Sequence, residues 1–195
     1  MTKLEFLFDV GSPTTYLAWT QLPALSERTG AEIKFTPVLL GGIFKATGNA
    51  SPVAVPAKGA WMLADLDRFA RRYGVPLAFN PHFPINTLGL MRAAVAAQQM
   101  GLLTEYLDAV FPAFWVEQLN MGDPEIAAAR IAQGGIDAAA FFERTQSAEV
   151  KDQLRQYTES AVARGAFGAP TFFVGGEMFF GQDRLDFVEE ALQAG

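Results

Sequence analysis

A serine at position 12 followed by a proline at position 13 is the most informative chemical pairing in this 195-residue chain. Serine is a favoured N-cap and proline a favoured first helical residue, so Ser12-Pro13 predicts the opening of a helix. The start of a helix carries free backbone N–H groups and partial positive charge, so the Ser12 hydroxyl is placed where an anion is stabilised. A serine there is also a plain cap, and both readings stand. Far along the chain, Ala169-Pro170-Thr171 enters a strand after a glycine-containing turn. In an α/β domain of this order Pro170 sits opposite the Ser12 helix as a cis peptide, or it is an ordinary strand-entry proline. The chain has no cysteine, which removes disulfide, thiolate-metal and cysteine-nucleophile chemistry. Its single histidine, His82, removes multi-histidine metal sites and argues against a Ser-His-Asp hydrolase. In its proline-rich loop His82 reads as solvent-facing and stays outside the site.

These residues need elements to position them. Leu4, Phe6 and Phe8 alternate with Glu5 and Leu7 in a β-type run ending at Asp9-Val10-Gly11. The Ser12 helix then runs through Tyr16, Leu17, Trp19, Leu22 and Leu25 to a stop near Gly30, with Pro23 as a kink or bend. A second strand is expected from Glu32 to about Leu40, closing on Gly41-Gly42. From Phe44 to Thr145 the spacing is helical, as in Met62, Leu66, Phe69 and Tyr73, and a cluster of four or five helices follows. Asp123 and Asp137 read as N-caps within it. A long helix carrying Val150, Leu154, Tyr157 and Ala161 stops at Gly165. Pro170–Val174 and Met178–Phe180 then flank Gly175-Gly176-Glu177 as a hairpin, and Asp183 caps a last amphipathic helix.

Composition narrows the class. Half of the chain is apolar and 18% is charged, so it can bury a sizeable core. Fifteen Lys and Arg against 21 Asp and Glu give a net charge of −6, unlike a nucleic-acid binder. Lys3, Glu5 and Asp9 interrupt the first residues, so they make no signal-peptide core. No apolar run approaches the roughly 20 residues that span a bilayer. The expectation is a soluble, cytoplasmic protein with neither nucleic acid nor membrane as partner.

The order of elements resembles the thioredoxin fold with a helical insertion, as in the bacterial disulfide oxidoreductases, with Ser12-Pro13-Thr14-Thr15 standing where those enzymes carry Cys-X-X-Cys. Ser12 to Ala18 is more closely similar to the Ser-Pro-X-X-Tyr-Leu-Ala start of 2-hydroxychromene-2-carboxylate isomerases and kappa-class glutathione transferases. The similarity continues through Gly48-Asn49, Lys58/Trp61 to Asp65, Tyr73 to Pro76, Phe167 to Thr171 and Gly181 to Leu185. The fold class is therefore α/β: a thioredoxin-like domain over 1–41 and 147–195, interrupted by an all-helical insertion over 42–146.

The resemblance implies glutathione as the borrowed thiol. Ser12 would donate a hydrogen bond to the glutathione sulfur and, with the helix N-terminus, favour its thiolate. Ala169, ahead of Pro170, would pair with the tripeptide backbone in a strand-like way. Gln182 and Asp183 would hold the γ-glutamyl end, Asp183 serving as ligand, as cap, or as both. Asn49 and Lys58 map to further polar contacts, with Lys58 suited to a glutathione carboxylate. Trp61 stands where the family often has tyrosine, and Gly11 and Thr15 also depart from its common choices. Asn86 lines the second-substrate pocket or is an ordinary loop amide. The implied activity is isomerisation of 2-hydroxychromene-2-carboxylate, or a similar small aromatic acid from ring breakdown, by reversible thiolate addition. A kappa-like transferase or peroxidase would use the same Ser12, and a thioredoxin-fold binding protein without catalysis is the third reading. A homodimer is compatible with all three.

Overall fold

The computed structural model describes residues 3–195; Met1 and Thr2, the start of the expected first segment, lie outside the described residues. Strand β1 (Lys3–Phe8) leads into helix α1 (Pro13–Thr29), and β2 (Glu32–Pro37) returns parallel to β1. Helices α2 (Leu40–Thr47), α3 (Pro56–Tyr73), α4 (Leu88–Met100), α5 (Leu103–Trp115), α6 (Pro124–Gln133) and α7 (Ala138–Gln146) follow. Helix α8 (Ala148–Ala163) then leads back to a hairpin of β3 (Thr171–Val174) and β4 (Glu177–Phe180), and α9 (Leu185–Ala194) completes the fold. The sheet order is β2-β1-β3-β4, with β3 antiparallel to both β1 and β4. This is a thioredoxin-like sheet with a block of helices between β2 and α8.

Period-two alternation distributes β1 between two cores. Leu4, Phe6 and Phe8 join Phe172 and Val174 of β3 in the larger core, where α1 contributes Leu17, Leu22 and Leu25, and α9 contributes Val188 and Leu192. Leu7 points the other way and packs with Val38, Ile43, Ala161, Ala166 and Phe173. A sheet covered on both faces holds the end of β1 rigidly, and that end carries Asp9 to Ser12. The last turn of α5 reaches it: Trp115 Nε1 donates to the Val10 carbonyl at 2.8 Å.

Three expectations need correction. The second strand stops at Pro37, and Leu40 opens α2 instead of ending β2. The cause is local: Leu39 N–H donates to Thr158 Oγ1 at 3.0 Å and Leu40 N–H to Asp9 Oδ2 at 2.8 Å, which turns the chain out of the sheet. Glycine at 42 allows the resulting close approach, since a Cβ there would lie 3.1 Å from the Thr158 methyl. Among the described residues the helical block holds six helices, α2 among them, where four or five are expected. The hairpin turn is Gly175-Gly176 alone, because Glu177 pairs with Val174. Other features match: Gly30 ends α1 at φ 67° with its N–H on the Ser26 carbonyl at 2.8 Å, and Pro23 lies within α1 without ending it. The division into 1–41 with 147–195 and 42–146 stays a proposed one; its first boundary falls inside α2.

Glu5, on β1, ties three segments together. It accepts from Lys34 Nζ at 2.8 Å, Thr36 Oγ1 at 2.8 Å and Arg164 Nη1 at 2.5 Å. Burial pushes its pKa up, but these three bonds outweigh burial and hold it at about 2 against an ordinary 4.5. A lowered carboxylate contributes stability that is complete above the ordinary value and lost as pH falls through the folded one. Solvent screening limits the contribution to about 1 kcal/mol. Urea unfolding of Glu5→Gln should therefore show about 1 kcal/mol lost at neutral pH, shrinking as pH falls from 4.5 to 2. An unchanged difference across that window would assign the loss to packing.

Candidate active site

The end of β1 is held by a buried carboxylate. Asp9 has no solvent exposure. Its Oδ1 accepts from Gly11 N at 2.9 Å, and its Oδ2 from Leu40 N at 2.8 Å and Thr87 Oγ1 at 2.9 Å. Desolvation pushes the Asp9 pKa up, and the two backbone N–H groups and the Thr87 hydroxyl oppose that rise. Glycine is required at 11, since a Cβ would stand 2.4 Å from the Thr87 methyl. The Ser12 N–H donates to the Asp9 carbonyl at 3.1 Å, so the turn delivers Ser12 at a fixed place.

Ser12 caps α1: its Oγ accepts from Thr15 N at 3.2 Å. The same hydroxyl donates to the Ala169 carbonyl at 3.0 Å and lies 2.9 Å from Thr14 Oγ1. Thr14 Oγ1 is itself 3.5 Å from that carbonyl. Two hydroxyls therefore converge on one carbonyl at the positive end of α1. Among the described residues, nothing accepts from the backbone N–H of Thr14 or of Ala169. Two hydroxyls and an unpaired backbone N–H thus stand at the head of α1, against a backbone segment with an unpaired N–H of its own. The Ala169-Pro170 bond is cis, as expected.

Most of the expected residues gather along this line. The Pro170 carbonyl accepts from Gly181 N at 3.0 Å, which brings Gln182 and Asp183 alongside. Gln182 is buried, and its carbonyl accepts from the Tyr73 hydroxyl at 2.8 Å. Asn49 joins from the α2–α3 loop, donating Nδ2 to the Phe167 carbonyl at 2.8 Å. Lys58 and Trp61 lie on α3, both exposed, with Trp61 63% accessible and no bond to the Ser12 cluster. Asn86 does not join the cluster; its Oδ1 accepts from Leu88 N at 3.0 Å at the start of α4. Asp183 is not a cap. It lies in a short 3-10 turn, Gln182–Arg184, and α9 starts after Arg184 without any side-chain cap. Its carboxylate instead accepts from Arg184 Nη1 at 2.7 Å and lines a 340 Å³ recess with Phe69, Arg72, Tyr73, Gln182 and Asp186. Burial, then the charges of Asp186 and Asp183, push the Tyr73 phenol up to about 12. The recess carries two carboxylates, Asp183 and Asp186, against one lining cation, Arg72.

Sequence reasoning did not find Asp9, Thr87 or Thr14 as parts of the site. Thr14 sits inside the Ser-Pro-X-X motif, and a second hydroxyl two residues past a cap is a usable signal. Among the described residues there is no helix long and apolar enough to cross a membrane, and no group of three His, Asp or Glu that could hold a metal.

A thioredoxin-like sheet with a hydroxyl in place of a thiol at the head of α1 defines a class of cysteine-free thioredoxin-fold proteins. A DSBA-like thioredoxin domain matches residues 3–193, and the chain belongs to that family, in the group of 2-hydroxychromene-2-carboxylate isomerases and kappa-class glutathione transferases. It is 35% identical to the 2-hydroxychromene-2-carboxylate isomerase of Sphingobium xenophagum, over 98% of this chain and 99% of that protein. It is 29% identical to glutathione S-transferase kappa 1 of Rattus norvegicus, over 94% and 87% of the two chains. The solved structure of a 2-hydroxychromene-2-carboxylate isomerase superposes with a TM-score of 0.85 at 29% identity, covering 98% of this chain and 95% of that one.

Asp9→Asn tests the anchor. An amide offers one accepting oxygen where Gly11 N and Leu40 N each need one, so a buried N–H is left unpaired at a cost of about 1–3 kcal/mol. A carboxyl whose folded pKa is raised loses relative stability as pH rises from the ordinary 3.8 through the folded value. The variant does not titrate there, so its deficit against wild type should be largest in acid and narrow as pH rises. Unfolding free energies measured across pH check this, and a deficit that widens with pH would mean the bonds outweigh desolvation.

Proposed function

We propose that the protein is a glutathione-dependent isomerase acting on 2-hydroxychromene-2-carboxylate or a similar small aromatic acid from aromatic-ring breakdown. The observation that carries this reading is the arrangement around Ser12: two hydroxyls and the unpaired Thr14 N–H at a helix N-terminus, against the Ala169 backbone, in a chain without a thiol. The donor set suits a tripeptide thiol. The Ala169 backbone offers a strand-like pairing edge, the recess at Asp183 and Asp186 suits an ammonium group, and Lys58 is a free cation for a carboxylate. Asn49 fixes the Phe167–Pro170 segment and so the Ala169 edge. Trp61 cannot supply a hydroxyl.

Glutathione, when bound, supplies a thiolate that adds to an unsaturated carbon and leaves again, permitting rotation about the bond between. The chain's own part is to hold that sulfur as an anion. Ser12 does so by turning its hydroxyl proton from the Ala169 carbonyl toward the cleft, with Thr14 Oγ1 able to take over the carbonyl. The unpaired Thr14 N–H and the α1 dipole add to the stabilisation. A kappa-like transferase or peroxidase would use the same groups and differ in its second substrate. Identity favours the isomerase, 35% against 29%. Comparing turnover of the chromene with that of a halogenated electrophile separates the two, and a non-catalytic binding protein would fail glutathione calorimetry.

Ser12→Ala should lower turnover by about 10- to 100-fold, the equivalent of one charge-assisted hydrogen bond. Loss of the cap should cost a further 0.5–2 kcal/mol, approximately, in stability. Glutathione affinity should change far less, and the ultraviolet absorbance of the bound thiolate should appear only at higher pH. Wild-type turnover with reduced stability would leave Ser12 as a cap alone.

Asp183→Asn should weaken glutathione binding by several-fold with thermal stability unchanged, since the residue caps nothing and its carboxylate is partly exposed. Calorimetry beside a thermal melt reads both. Unchanged affinity would leave Gln182 and the Ala169 backbone to hold that end.

A further inference from the structure

A second cavity, of 770 Å³, lies between α2 and α4 over α8. It shares no residue with the Ser12–Ala169 cluster or with the acidic recess. Its walls combine apolar side chains, Leu39, Leu88 and Val162 among them, with the cations Lys45, Arg92 and Lys151. The remaining charges nearly cancel: Asp152 and Glu159 both pair with Arg155, at 3.0 Å and 3.6 Å. Four cationic side chains against two carboxylates make this wall positive in a chain of net charge −6. Among the described residues neither Lys45, Arg92 nor Lys151 has an ion-pair partner. Arg92 goes further. Its Nε is buried with no hydrogen-bond partner, so the rest of the guanidinium is where an anion in the cavity would meet it.

We propose that this cavity binds an organic monocarboxylate with an apolar body, its carboxylate on Arg92 with Lys45 and Lys151 nearby, its body against Leu39, Leu88 and Val162. The volume lies in the range of small-molecule sites, and the apolar walls exclude a bare inorganic anion as the intended occupant. The inference does not rest on the glutathione reading, although an aromatic acid substrate belongs to the same chemical class. The cavity also adjoins the active-site anchor. Leu39 precedes Leu40 and Leu88 follows Thr87, and both Leu40 and Thr87 bond Asp9. An occupant therefore presses on the two segments that fix the Ser12 turn.

The test titrates the full chain with trans-cinnamate by calorimetry, without glutathione, beside cinnamyl alcohol, which keeps the body and lacks the charge. Saturable cinnamate binding is expected, with the alcohol at least about tenfold weaker. Arg92→Gln should weaken cinnamate by about tenfold or more, while Arg68→Gln, an exposed cation on α3, should leave it unchanged. Ala46→Trp fills the cavity from the exposed side of α2 and should abolish binding, which keeps the test valid if Arg92→Gln fails to fold. No saturable binding in the millimolar range overturns the proposal. So do equal affinity for the alcohol, undiminished binding in a folded Arg92→Gln or Ala46→Trp, or equal losses in Arg92→Gln and Arg68→Gln.

Discussion

At the end of β1 three donors from distant parts of the chain converge on the carboxylate of Asp9, which has no contact with solvent. Burying a carboxylate is expensive, and its three bonds only partly offset the cost, which is why its pKa rises. The return is positional. Gly11 N fixes the turn into α1, Leu40 N fixes the start of α2, and Thr87 fixes the entry to α4. Remove the carboxylate and three elements lose their common reference. The Ser12 hydroxyl, one residue past Gly11, is aimed by this node more than by any contact of its own.

The Ser12 hydroxyl has two duties that compete only in part. Its lone pair accepts from Thr15 N, and its proton goes to the Ala169 carbonyl. The capping bond uses oxygen and the other uses hydrogen, so the proton can be redirected without uncapping the helix. Thr14 makes that redirection cheap, since its own hydroxyl is already within reach of the same carbonyl. A cysteine at 12 would offer a larger, more acidic group and redox chemistry. A serine has no redox chemistry of its own.

What could be read in the sequence was what local chemistry decides. Ser12-Pro13 and Gly30 mark the two ends of α1 through bonds spanning three or four residues, and the alternation of Leu4, Phe6 and Phe8 gives a strand with a buried face. The motif around Ala169-Pro170 and its resemblance to a known family brought the far partner of Ser12 into view. Contacts of long separation were not legible. Asp9 reads as a polar residue ending a strand until Leu40 and Thr87, 31 and 78 residues away, are placed against it. The same bond explains why Leu40 belongs to α2. Asp183 failed as a cap for a different reason: Gly181 at φ 101° and the 3-10 turn after it shift the start of α9 by one residue, a displacement that capping preferences cannot register.

Charge distribution sets how the two cavities can work. A net charge of −6 disfavours anions at long range, but the Debye length at physiological salt is about 8 Å, so surface charges beyond that distance contribute little. Binding is then decided by desolvated neighbours. The recess at Asp183 and Asp186 is acidic and the cavity at Lys45, Arg92 and Lys151 is basic. They stand on different elements, the first on α3 and the turn before α9, the second on α2, α4 and α8. On the proposed readings of the two places, a ligand's ammonium and a ligand's carboxylate would be sorted apart. Both places connect to the Ser12 turn through short bonded paths, the first by Gly181 and Pro170 to Ala169, the second by Leu40 and Thr87 to Asp9. Either place can therefore act on the Ser12 turn through bonds that the other does not share.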